Sequence, residues 1–306
     1  MAITTPENRQ SPWRWLVVAV PYFWLMLFFA APFFIIFKIS LSDTAISMPP
    51  YTPVFEGLSK LGAFFSQLDF ENYLFLTEDP LYIDAYLSSL RIAFISTFLL
   101  LLIGYPMALA MARSPSSIRP TLVMLVILPF WTSFLIRVYA WIGILKPEGL
   151  LTVLFQWLGF LGPDQQVNIF RTETAIFIGI VYSYLPFMVL PIYSSLEKMD
   201  YSLIEAAQDL GCTPFAAFWK ITFPLSLAGV LAGCFLVFIP AVGEFVIPDL
   251  LGGSQTLMIG KTIWSEFFSN RDWPVSSAVA VVLLILLIVP IVIFQQVQAR
   301  QQEKGK

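Results

Sequence analysis

Two charged residues of this chain stand where charge is expensive. Glu244 lies inside the apolar run 225–247 and Arg137 inside the run 122–145. A charge at mid-depth of a bilayer costs about 2.5–3.5 kcal/mol on insertion scales, so such residues face partners or watery cavities. A carboxylate at Glu244 can offer itself to an ammonium group in transit. Equally, a Glu–Arg pair can fix the register of two helices, and the sequence leaves both readings open. Trp131, Tyr139, Trp141, Tyr182 and Tyr184 lie in or near the same runs. They offer ring faces to a cation, although aromatic residues in such places also serve as an interfacial belt or as packing.

Other chemistry is sparse. The chain has no histidine, which removes His-based triads, the usual general base and most zinc sites. Cys212 and Cys234 have no motif spacing and read as small packing residues. The stretch GGSQTLMIGKT, 252–262, ends like a phosphate loop. That pattern, G-x4-G-K-[ST], needs glycine where Gln255 stands, and it follows a strand, which is not expected here. No catalytic residue, no metal site and no bound cofactor are expected on this chain.

The elements that position these residues are membrane spans. The chain is 58% hydrophobic and 12% charged, against about 45–50% and about 25% for soluble domains. Its mean hydropathy is +0.79. A span needs about 20 apolar residues, and six runs qualify: 15–37, 92–111, 122–145, 174–196, 225–247 and 275–294. The expected fold is therefore an all-α integral membrane protein with six transmembrane helices. Lys and Arg are dense in the short segments on one side, at Arg9, Arg14, Arg113, Arg119, Lys198, Lys220, Arg300, Lys304 and Lys306. Positive residues stay inside, so both termini, the tails 1–14 and 295–306, are expected in the cytoplasm. The outer loops, about 38–91, 146–173 and 248–274, hold thirteen acids and form an anionic outer face. A net charge of -3 suggests no nucleic acid partner.

The inner loop 197–224 is unlike its surroundings. Within it, EAAQDLGCTPFAAFWKITFP carries Glu205, Asp209 and Lys220 between two apolar runs. Ser202 and Glu205 have capping-box spacing, Gly211 sits where a helix stops, and Thr213-Pro214 restarts one. Pro224 is expected to end this second helix before the next span. The segment spells helix, tight turn, helix, as a rigid knob outside the membrane.

Glu205, Ala206, Ala207, Gly211, Ile221 and Pro224 resemble the EAA motif, EAA-x3-G-x9-I-x-LP, of binding-protein-dependent ABC importer permeases, with Phe223 in place of leucine. The resemblance extends over most of the chain through LPFWTSFLIRVYAWIGILK, FIPAVGEFVIPDLLGG and FFSNRDWPVSSAVA, which look like putrescine/spermidine permeases. It implies a type I ABC importer permease-like fold in the bacterial inner membrane, half of a pathway for polyamines, with putrescine as the expected cargo. It implies partners: two copies of a cytoplasmic ATPase that holds ATP and Mg, a second, different permease subunit, and a periplasmic polyamine-binding protein. Glu205, Ala206, Ala207, Asp209, Gly211, Ile221 and Pro224 would then couple this chain to the ATPase, with Glu205 and Asp209 pairing with its basic residues. The competing reading is an ion-gradient-driven transporter of small organic cations. The knob and the lack of an evident inverted repeat speak against it.

Overall fold

In hydrocarbon, backbone groups must bond within their own segment, and the long apolar runs of this chain accordingly form helices. The computed structural model describes residues 13–55, 66–253 and 256–304. Most of the expected N-terminal tail, 1–12, lies outside them, as do Glu56, Lys60, Gln255 and Lys306. The described residues form two compact units, one from the parts before Glu78 and after Glu266, the other Asp79–Ser265.

In the first unit, α1 (Trp13–Leu25) runs through a π-helical turn (Met26–Ala30) into α2 (Ala31–Ser40). A short antiparallel hairpin follows, β1 (Asp43–Thr44) with β2 (Tyr51–Thr52). Next comes α3 (Glu71–Glu78), whose Asn72 Nδ2 donates to the carbonyls of Ser40 and Ser42 at 3.0 and 2.8 Å. Those carbonyls lie at the open end of α2 and need such donors. The last helix, α14 (Trp273–Lys304), packs on α2 and α3. It runs on through most of the residues expected as the C-terminal tail.

In the second unit, α4 (Pro80–Arg113) begins well before the expected span 92–111. Asp79 caps it, accepting from Leu81 N at 2.9 Å, with Pro80 in the first turn, as the sequence suggests. It packs with α8 (Glu173–Glu197) and α11 (Phe223–Val242) around buried Leu100, Met188, Ile192, Leu196 and Val237. The Tyr105 and Ser226 hydroxyls meet at 2.9 Å across this core.

Two expected spans are broken. The run 122–145 splits into α5 (Arg119–Ile127), a 3₁₀ turn (Leu128–Trp131) and α6 (Phe134–Leu145), bent by 87°. Pro129 disrupts the helical ladder there, and Thr132 and Ser133 are extended. The run 225–247 ends as a helix at Val242, and α12 (Val246–Leu251) starts after a turn. Glu244 therefore lies at a helix break rather than inside a span. Between α6 and α8 lies α7 (Leu150–Trp157).

Among the described residues, four helices are long and apolar enough to cross a bilayer, or five if the bent pair is one span. The apolar part of α14, Trp273–Val289, is shorter.

Candidate functional site

The loop 197–224 folds as helix, turn, helix. The first helix, α9 (Ser202–Asp209), is started by Asp200, whose Oδ1 accepts from Ser202 N at 3.0 Å. Ser202 itself caps nothing, which corrects the capping-box expectation. An ionised carboxylate is the stronger acceptor at the positive end of a helix, and the Ser202 N–H holds the Asp200 carboxyl below its ordinary range.

At the other end Gly211 has φ +82, which only glycine adopts without strain. Its N–H reaches Gln208 O at 2.8 Å, and the N–H of Cys212 reaches Ala207 O at 2.9 Å. This pair of bonds is the Schellman closure. Thr213 Oγ1 then accepts from Ala216 N at 3.3 Å to start α10 (Pro214–Ala217).

A π-helical turn (Phe218–Thr222) joins α10 directly to α11. Pro224 does not end the second helix, contrary to expectation. It sits in the first turn of α11, where its missing N–H is least needed, and the π turn has already shifted the ladder. The knob is thus continuous with the span behind it.

Glu205, Ala206 and Asp209 are exposed, and Ala207 and Ile221 partly so. Leu210 is 89% and Phe215 75% exposed. Acid beside bare apolar side chains is a surface that gains by being covered.

A cavity of about 450 Å³ lies where the two broken helices meet α8. Glu244, 8% exposed, accepts from the Tyr184 hydroxyl at 2.5 Å and from Val246 N and Ile247 N at 3.0 and 3.4 Å. It therefore caps the start of α12. Gly260, in α13 (Ile259–Trp264), lets the chain pass this break closely, because a Cβ there would lie 2.3 Å from Gly243 O.

Arg137, 9% exposed, donates through Nη1 to Pro129 O and lies 5.5 and 5.9 Å from the rings of Phe130 and Phe134. Pro129 O also accepts from the Thr132 hydroxyl at 2.9 Å. Arg137 thus closes the 87° bend as Glu244 closes the other break. Both charges line the one cavity, but no ion pair joins them among the described residues. Arg137 Nε and the Ser183 hydroxyl are buried there without partners among the described residues.

Of the five aromatic candidates, Tyr184 alone lines this cavity. Trp141 and Tyr182 pack on each other at 5.4 Å. Trp131 and Tyr139 are exposed and turned elsewhere. Sequence reading missed Phe130, Phe134, Ser183, Phe187 and Phe245, which share the lining with Pro240, Gly243 and Val246. Helical spacing signals only part of this set, Phe134 with Arg137 on α6 and Tyr184 with Phe187 on α8. Gly260-Lys261-Thr262 is built into α13, with Lys261 3.4 Å from Asp249 and Thr262 bonded to Met258 O.

Residues 101–304 match the family described as binding-protein-dependent transport system inner membrane component. The chain is similar to the spermidine/putrescine transport system permease protein PotB of Escherichia coli (strain K12), 44% identical over 71% of this chain and 78% of the relative. It is similar to the protein of the same name from Haemophilus influenzae, 38% identical over 91% and 92%. In fold it resembles a chain of a bacterial ABC transporter involved in the import of the acidic polysaccharide alginate, with a TM-score of 0.65 at 18% identity, covering 94% of this chain and 96% of that one.

Proposed function

Because this chain belongs to the family of binding-protein-dependent transport system inner membrane components, we propose that it forms half of the translocation pathway of an ATP-driven polyamine importer. It is a multi-pass permease of the inner membrane, and the ATPase of such a system is a separate subunit. The cargo assigned here is a polyamine, with putrescine favoured over spermidine. The names of the relatives support the class. The cavity supports it chemically: a buried carboxylate for an ammonium group, and aromatic faces for methylene groups and cationic ends.

In this reading the six spans count α5 with α6 as one and α14 as the last. Both termini lie in the cytoplasm. The working domain is 15–294, with the knob 197–224 on the cytoplasmic face. Two ATPase copies hold ATP and Mg, one of them docked on this knob. A second, different permease subunit completes the pathway, and a periplasmic polyamine-binding protein delivers the cargo.

The observation that carries the proposal is the exposed knob, held rigid by the Gly211 turn and presenting Glu205 beside bare Leu210 and Phe215. The test is co-purification. The wild-type complex should retain its ATPase, and Glu205→Lys should release it while the chain still inserts. Uptake of labelled putrescine and spermidine by cells with and without the gene identifies the cargo. Uptake that survives loss of the ATPase would point to a gradient-driven carrier instead.

A further inference from the structure

A second cavity, of about 470 Å³, opens between the α4–α5 corner, α9 and the start of the α10–α11 helix. Arg113, the last residue of α4, and Arg119, the first of α5, both line it. Arg113 makes no hydrogen bond or ion pair among the described residues. Arg119 donates through Nε to Ser114 O at 2.8 Å and stands 4.0 Å from Glu197, which leaves donors free. Thr222, 1% exposed, lines the same cavity, and its hydroxyl has no partner among the described residues. The Tyr201 hydroxyl donates to Ala112 O at 3.2 Å and ties the α9 wall to the end of α4. A lone carboxylate, Glu205, completes the charged lining.

Two guanidiniums within one cavity, with an unspent hydroxyl, match the oxygens of a phosphate group, which arginine binds in forked pairs. The cavity also lies at the polar end of an apolar helix long enough to span the bilayer, Pro80–Arg113. Basic pockets at that depth take lipid headgroups. We infer that this cavity binds a phosphate group, held by Arg113 and Arg119 and completed by Thr222. The group arrives on an anionic phospholipid or as free phosphate. Occupancy braces the α4–α5 corner against the knob, which is where docking force would be passed to the spans.

The complete transporter, with its ATPase, is reconstituted in phosphatidylcholine discs with or without phosphatidylglycerol. Phosphatidylglycerol retained after transfer to mild detergent is counted by native mass spectrometry. The double variant Arg113→Gln/Arg119→Gln should retain about tenfold less, since charge-assisted bonds are lost. Thr222→Val keeps the side-chain shape, removes a hydroxyl that bonds nothing else among the described residues, and should lower retention at least about threefold, the lower bound for one hydrogen bond to the phosphate. It decides the matter if the double variant fails to assemble. Release of the lipid by inorganic phosphate shows that the site recognises the phosphate group itself and takes it from either source, and indifference to inorganic phosphate restricts the site to the headgroup. Equal retention in wild type and both variants overturns the inference.

Discussion

The Gly211 turn sets a graded test of whether the knob transmits force. At φ +82 a β-carbon costs about 1–2 kcal/mol through clash with its own backbone. No other atom lies within 4 Å of the place where that carbon would stand, so backbone strain is the whole effect. Gly211→Asn should cost least, because asparagine tolerates this conformation. Gly211→Ala should weaken docking of the ATPase about tenfold, the factor given by about 1.4 kcal/mol. Gly211→Pro fixes φ near −65° and removes the N–H that bonds Gln208 at 2.8 Å. It should abolish the turn and uncouple hydrolysis from transport. The assay is cargo-stimulated ATP hydrolysis by the assembled transporter in lipid discs, with ATPase retention measured beside it. The order expected is wild type, Asn, Ala, Pro. Equal stimulation across the four would refute the claim that this turn positions a docking surface.

Two further perturbations address other sites. Glu244→Gln keeps the shape and an acceptor for Val246 N but removes the charge, so it should cut polyamine uptake at least tenfold with assembly intact; restored uptake in the swap Glu244→Arg/Arg137→Glu would show that the two residues matter only as a pair. Asp200 is a carboxylate whose folded pKa is depressed from 3.8, so its capping of α9 is fully present above that value and is lost as pH falls through the lower folded value; amide exchange in α9 should accelerate there relative to α8, and Asp200→Asn should remove the step.

Much of this architecture is legible in the sequence, because local rules govern it. Asp79-Pro80, Gly211 and Thr213 act as their residue types dictate, Asp79 and Thr213 accepting from amides two or three residues on and Gly211 donating to a carbonyl three residues back. The apolar runs mark helices because hydrocarbon admits little else. Legibility ends where a proline meets a tertiary partner. Pro186 and Pro191 leave α8 a single helix, whereas Pro129 helps to bend its segment by 87°. The difference lies in what receives the freed backbone groups. At Pro129 the carbonyl accepts from Thr132 and also from the Arg137 guanidinium eight residues on, a contact made across the bend that helical periodicity does not foretell. The lining phenylalanines were hidden for the same reason, since their face turns toward the core only after the bend is made.

The two intramembrane charges take on a different meaning once the breaks are seen. A helix ending inside a membrane exposes carbonyls, and one starting there exposes N–H groups, and each must be satisfied without water. Arg137 gives donors to the carbonyl end of the Leu128–Trp131 turn, and Glu244 gives acceptors to the amide end of α12. Each charge has the sign that its helix end requires. If Glu244 also meets the cargo, structure and transport draw on the same atoms. An ammonium group that attracts Glu244 competes with Tyr184, Val246 and Ile247 for its oxygens, so cargo entering the cavity would loosen the start of α12. Mutating either residue should accordingly disturb conformation and uptake together, and amide protection at Val246 and Ile247 separates the two. If polyamine binding leaves that protection unchanged, Glu244 is only a cap. If protection falls as cargo binds, the carboxylate is shared between the fold and the passing cation.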